Sequence, residues 1–156
     1  MKNAKNAVRG LLAASVAAAT LMFGATAGAQ QQQEEVSPHV QIVIDQFSQI
    51  VPVMREQGYQ NFEVITLNAI NTGATETTNY TAQDNGDIVF VAVCDGDCTD
   101  LDLRVRSGGG TIGEDVLEDS VPVVQVSTNT RPLSVDTIMV TCSVEPCVYG
   151  LAVFRR

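Results

Sequence analysis

From residue 58 onward, the chain alternates short runs of strand-forming residues with turn residues about every ten positions. The runs are rich in Val, Ile, Thr and aromatic side chains, and the turns contain Gly, Asn, Asp and Pro. This pattern predicts an all-β, antiparallel sandwich or barrel of about eight strands rather than an α/β fold. The predicted strands lie near 60–69, 74–83, 87–94, 101–106, 111–117, 121–128, 133–142 and 147–155.

Two of these runs predict how the strands are covered. Leu101, Leu103 and Val105 alternate with charged residues, so one face of that strand is buried and the other faces water. The run 88–93 (IVFVAV) has no polar residue. An antiparallel strand that is apolar on both faces needs cover on both, so a second sheet on one side is not enough.

The segment 38–57 is predicted to supply that second cover as one amphipathic helix. Its apolar residues at helical spacing are Val40, Val43, Ile44, Phe47, Val51 and Met54. Ser37 and Pro38 suit the N-cap and first helical positions, and Gly58 suits the C-terminal end. Pro52 leaves two alternatives, a kinked helix or a helix that ends near Val51. We expect the helix on the outer face of one sheet; the alternative is that its stripe contacts other molecules, as an oligomerisation or docking element.

Residues 1–29 have the three parts of a secretory signal peptide. Lys2, Lys5 and Arg9 form a basic start, residues 11–25 are largely apolar, and 27–29 (AGA) form a cleavage site. The alternative is an N-terminal membrane anchor, but a spanning helix needs roughly 20 apolar residues. The sequence therefore predicts an exported bacterial protein, periplasmic or extracellular, with no stable membrane insertion after cleavage.

The predicted mature chain is strongly acidic. Residues 30–37 (QQQQEEVS) form a polar leader that we expect to be flexible, and 58–156 form the β domain. Removing 1–29 takes away three basic groups and no acidic ones, so the net charge of −9 becomes −12. Such a chain lacks the Lys/Arg clusters on which nucleic-acid affinity depends, which excludes nucleic acid and anionic membranes as partners.

Four cysteines in an exported chain of this size predict two disulfides. Each of the spacings Cys94 to Cys98 and Cys142 to Cys147 places two cysteines around a turn, which favours the pairs Cys94–Cys98 and Cys142–Cys147. A crossed pairing is the alternative if strands 87–94 and 133–142 end side by side. A redox centre or a four-thiolate zinc site fits less well, because both normally use C-x-x-C spacing.

Asp95, Asp97, Asp100 and Asp102 lie within eight residues and are the candidate metal ligands. A flexible loop rich in carboxylates and carbonyls suits Ca²⁺, although the loop is not an EF-hand. The alternative is that Gly96 and Asp97 simply form a turn and the other acids a solvated surface.

Catalysis has little support in the sequence. His39, the one histidine, lies in the first turn of the predicted helix, far in sequence from any nucleophile. Carboxylate pairs are too frequent here to indicate a glycosidase. We therefore expect no enzymatic activity, with a hydrolase as a minor alternative.

The segment from Phe62 to Phe154 resembles the bacterial pre-peptidase C-terminal domain family, here in a free-standing form. Residues 100–105 (DLDLRV) are similar to the family's D-x-D-L-x-V strand, and a glycine-rich turn follows them. The segments 119–122 (DSVP), 138–140 (IMV) and 149–153 (YGLAV) are similar to later parts of the domain. The resemblance implies a jelly-roll-like sandwich and a non-catalytic accessory module, with calcium near the aspartate strand in some relatives.

The sequence therefore predicts an exported, non-catalytic β-sandwich module. Its role would be binding or envelope-associated, with an unidentified protein or glycan ligand and with Ca²⁺ as a structural ion. The main alternative is a self-assembling structural protein that forms homo-oligomers through the N-terminal helix or a sheet edge.

Overall fold

The computed structural model describes residues 36–82, 85–129 and 132–156. The predicted signal peptide and residues 30–35 of the predicted leader lie outside these ranges, as does position 83 of a predicted strand. Within the described ranges, no helix is both long and apolar enough to cross a membrane.

Helix α1 runs from Pro38 to Glu56, with proline in its first turn as predicted. It continues through Pro52, so of the two alternatives the helix that ends near Val51 is wrong. Its end is fixed by Gly58, which has a φ of 95°. The Gly58 N–H donates to the Arg55 carbonyl and the Tyr59 N–H to the Met54 carbonyl, which together form a Schellman motif.

The described residues form eight strands in two antiparallel four-stranded sheets, which confirms the predicted all-β sandwich. Sheet A has the order β1-β8-β3-β6 and sheet B the order β2-β7-β4-β5, which is the strand order of a jelly roll. The strands are β1 (Asn61–Ile70), β2 (Thr75–Thr81), β3 (Asn85–Cys94), β4 (Cys98–Ser107), β5 (Gly110–Asp115), β6 (Val123–Asn129), β7 (Pro132–Cys142) and β8 (Cys147–Arg155).

The hydrophobic core lies between the two sheets. Leu101, Leu103 and Val105 of β4 are fully buried in it, and their charged neighbours lie on the opposite face, as the alternation predicts. Strand β3 supplies Phe90 and Ala92 to the same core. The side chains of Val89, Val91 and Val93 point to the opposite face of β3 and belong to a second cluster.

This second cluster lies between α1 and the outer face of sheet A, which confirms the predicted position of the helix. Val43, Phe47 and Met54 of the helix are buried there against the β3 valines and against β8. Gly150 of β8 permits the close approach, because a Cβ at this position would lie 2.6 Å from Phe47 Cε2 and 2.8 Å from Val43 Cγ1. Val43, Phe47 and Met54 of the apolar stripe are thus used within the molecule, whereas Ile44 stays 44% exposed.

Candidate functional site

The two disulfides lie together at one end of the sandwich. Cys94 pairs with Cys98 and Cys142 with Cys147, which is the favoured pairing, and each pair has its α-carbons 5.9 Å apart. Cys98 and Cys142 are direct neighbours across β4 and β7. All four sulfur atoms are used in these two disulfides, so the described structure leaves no thiolate to bind zinc. Two disulfides indicate an oxidising compartment outside the cytoplasm.

Asp95 organises the loop that the first disulfide closes. Its side chain is completely shielded from solvent, yet both carboxylate oxygens have partners. Oδ1 accepts a hydrogen bond from the Asp97 N–H at 3.2 Å, and Oδ2 accepts one from the Val148 N–H at 2.9 Å. These bonds satisfy partly buried donors of the loop and of β8, and they give the shielded carboxylate its polar partners.

His39 joins this loop to the first turn of α1. Its Nδ1 lies 3.1 Å from Asp95 Oδ2 and 3.6 Å from Asp97 Oδ2. The His39 side chain is 48% exposed and that of Asp97 30%, so the cluster is open to solvent on one side. The sequence placed His39 far from the acidic loop; the packing of α1 across β3 and β8 brings them together.

The four aspartates predicted to bind calcium are not gathered at one point. Within the described chain, His39, Asp95 and Asp97 are the only group of three or more potential side-chain ligands whose ligand atoms all lie within 4.8 Å of one another. Asp100 and Asp102 belong to β4 instead. The predicted calcium loop is therefore divided between two places. Asp95 and Asp97 are fixed in the β3–β4 turn, whereas Asp100 and Asp102 lie near acids of β5 and of the segment that follows it.

Asp100 and Asp102 experience an unfavourable environment for their charges. Desolvation, and then repulsion from Glu118 and Asp119, raises the pKa of Asp100. Desolvation, and then repulsion from Asp100, raises the pKa of Asp102, and Arg104 offsets part of this. Asp100 Oδ1 is hidden from solvent and accepts no hydrogen bond from the described residues. These carboxylates therefore destabilise the fold at neutral pH.

Replacing Asp100 by asparagine should raise the free energy of unfolding at neutral pH by up to about 0.5 kcal/mol. The raised pKa means that the folded state binds the proton more tightly than the unfolded chain, so the wild type is penalised above the folded pKa. As the pH falls through the folded pKa and below about 3.9, the gain should disappear. Urea unfolding at neutral and acidic pH measures this, and a loss of stability in the variant at neutral pH would contradict it.

A groove runs between the second half of α1 and the outer face of strands β3 and β6. It has a volume of about 360 Å³, within the range of small-molecule sites. Its lining consists of Gln49, Ile50, Val53, Met54, Gln57, Tyr59, Val89, Val91, Val121, Val123 and Gln125. None of these residues is acidic or basic, although the whole chain carries 18 acids and a net charge of −9. Val53 and Val123 remain 52% and 47% exposed on its walls.

Fold and site together define a jelly roll with two disulfides, in which α1 covers only part of the outer face of sheet A. No protein-family model matches the chain, and no curated protein matches it. The resemblance to the pre-peptidase C-terminal domain therefore stays a prediction that rests on the sequence motifs.

Proposed function

We infer that this protein is an exported, non-catalytic binding module and that the groove between α1 and β6 is its binding surface. The observation that carries this conclusion is the uncharged, apolar lining of the groove within so acidic a chain. A concave site lined mainly by apolar side chains with a few polar groups is the usual form of a ligand-binding site. The ligand is therefore a neutral, largely apolar group, such as the side chains of a protein partner.

The neighbouring strand supports a protein ligand over a free small molecule. β6 is at the edge of sheet A and has no strand beyond it within the described chain. An extended segment could add to this edge through backbone hydrogen bonds and place alternate side chains in the groove. Gln49, Gln57 and Gln125 offer amide groups for the polar atoms of such a segment.

The disulfides and the sequence motifs complete the proposal. An oxidising compartment agrees with the predicted signal peptide, so the module would act in the periplasm or outside the cell. Membership of the pre-peptidase C-terminal domain family would explain the jelly-roll fold and a non-catalytic role.

The neutral dye Nile red, whose fluorescence rises in apolar surroundings, tests the groove. We expect it to bind the protein, and Val123→Glu to weaken that binding by at least about tenfold, because a charge would have to be desolvated. Leu67→Glu is the matched control. Leu67 lies on β1, at the opposite edge of sheet A, and is exposed to the same 47% as Val123. Equal loss in both variants, or no binding by the wild type, would refute the proposal.

Self-assembly is a second candidate, and strand β1 favours it. Phe62, Val64 and Leu67 are 36%, 44% and 47% exposed along this other edge of sheet A. Such an apolar edge can join two copies. Light scattering of the same samples separates the two functions. Self-assembly requires the wild type to form an oligomer that dissociates in the Leu67→Glu variant. A monodisperse wild-type monomer would contradict self-assembly and favour the binding module.

A further inference from the structure

We propose that His39, Asp95 and Asp97 form a binding site for a divalent transition-metal ion of the Zn²⁺ type. This inference is independent of the groove, which lies at the other half of α1. It differs from the predicted calcium site in its ligands, because it replaces Asp100 and Asp102 by an imidazole. It would connect the first turn of the helix to the disulfide-closed loop.

The distances within the cluster suit a small cation. Zn²⁺ binds His nitrogen and carboxylate oxygen at about 2.0–2.1 Å, so neighbouring ligands of a tetrahedral site lie about 3.3–3.4 Å apart. The two separations from His39 Nδ1, 3.1 Å to Asp95 Oδ2 and 3.6 Å to Asp97 Oδ2, lie on either side of that value. All the ligand atoms lie within 4.8 Å of one another, which is close enough for one ion to be shared among them.

The Asp95 carboxylate is held in place before any ion arrives. The Val148 N–H already orients Asp95 Oδ2, and that oxygen keeps a second lone pair, which now faces His39. Carboxylate ligands are commonly oriented by such outer hydrogen bonds. The Cys94–Cys98 disulfide brackets both aspartates, so the loop loses little freedom when the metal binds.

Charge and donor type decide which cation is favoured. The two carboxylates outweigh the partial positive charge, about half an elementary charge, at the start of a helix. Ca²⁺ takes six to eight oxygen ligands, whereas this site offers two carboxylates and a nitrogen. Imidazole suits Zn²⁺, Cu²⁺ and Ni²⁺. The exposed side of His39 leaves room for water to complete the coordination.

Calorimetric titration of Zn²⁺ into the tag-free, oxidised protein tests the site. We expect one ion per chain and a higher Tm with Zn²⁺, because a ligand bound only to the folded state stabilises it. His39→Ala and Asp97→Asn should each weaken Zn²⁺ binding by at least about tenfold. Asp45→Asn, which changes an exposed carboxylate on the same helix, should leave it unchanged.

Two outcomes would overturn the proposal. Absence of Zn²⁺ binding would show that the three side chains only form hydrogen bonds with one another. Zn²⁺ binding that survives both His39→Ala and Asp97→Asn would place the ion elsewhere. Circular dichroism of each variant shows that it is folded, and both test positions were chosen because their side chains are partly exposed.

Discussion

Replacing Phe47 by alanine is expected to lower the free energy of unfolding by about 3–5 kcal/mol, the usual cost of truncating a buried aromatic residue. Phe47 is 5% exposed in the cluster between α1 and sheet A. Its ring contacts Phe62 at a centroid distance of 5.8 Å and lies over Gly150. A domain of this size has a total stability of only about 5–15 kcal/mol, so the variant should be marginal. Urea unfolding followed by circular dichroism measures the loss.

Ile44→Ala is the control for this prediction. Ile44 lies on the same helix but is 44% exposed, so its truncation should change stability by no more than about 0.5 kcal/mol. If α1 instead served mainly to contact other molecules, Phe47→Ala would change the oligomeric state and leave the unfolding of the monomer nearly unaltered. That result would contradict the intramolecular packing described above.

Asp95→Ala should cost about 1–3 kcal/mol, because it leaves the partly buried N–H groups of Val148 and Asp97 without their acceptor. The His39 imidazole loses its nearest partner in the same variant. We expect the damage to be confined to the cysteine end of the sandwich. Hydrogen exchange should show earlier exchange at Val148 than in the wild type, together with a lower urea midpoint.

Asp97→Ala is the control for this prediction, because it separates the hydrogen bonds of the Asp95 carboxylate from general effects of charge. Asp97 also carries a negative charge next to His39, but its side chain is 30% exposed. Pairs of this kind contribute at most about 1 kcal/mol. Equal losses in the two variants would mean that charge, rather than the hydrogen bonds to the backbone, explains the effect.

The sandwich could be predicted from sequence because its signals are local. The alternation of Leu101, Leu103 and Val105 with charges identifies a half-buried strand wherever that strand lies in the sheet. The wholly apolar run 88–93 likewise requires two covers, and α1 was the available element with an apolar stripe. Both deductions use the periodicity of single segments, and the structure confirms them.

The candidate sites could not be predicted in the same way because they depend on how elements are placed. The spacing of apolar residues shows which face of α1 is buried, but not the direction in which the helix crosses sheet A. That direction decides that His39, rather than the residues near Gln57, lies beside Asp95. The groove also depends on the lateral position of the helix, which covers β8 and β3 but leaves β6 partly open.

Closeness in sequence was misleading for the acidic loop. Asp95 to Asp102 spans only eight residues, yet it includes a turn, a disulfide and the start of a strand. The register of β4 against β7 is also irregular on both sides of Asp100. Carboxylates that follow one another through such a segment point to different surroundings, so their density in the sequence overstates how many can share one ion.

Strand β8, the last of the chain, lies between β1 and β3 in sheet A and directly beneath α1. Strand β1 pairs with β8, and α1 packs on both β8 and β3, so β1 and the seat of the helix both depend on residues 147–155. The centre of sheet A therefore joins parts of the chain that are far apart in sequence, and such long-range pairings form slowly. The same arrangement means that an early stop codon anywhere before β8 would remove the centre of sheet A rather than trim its edge.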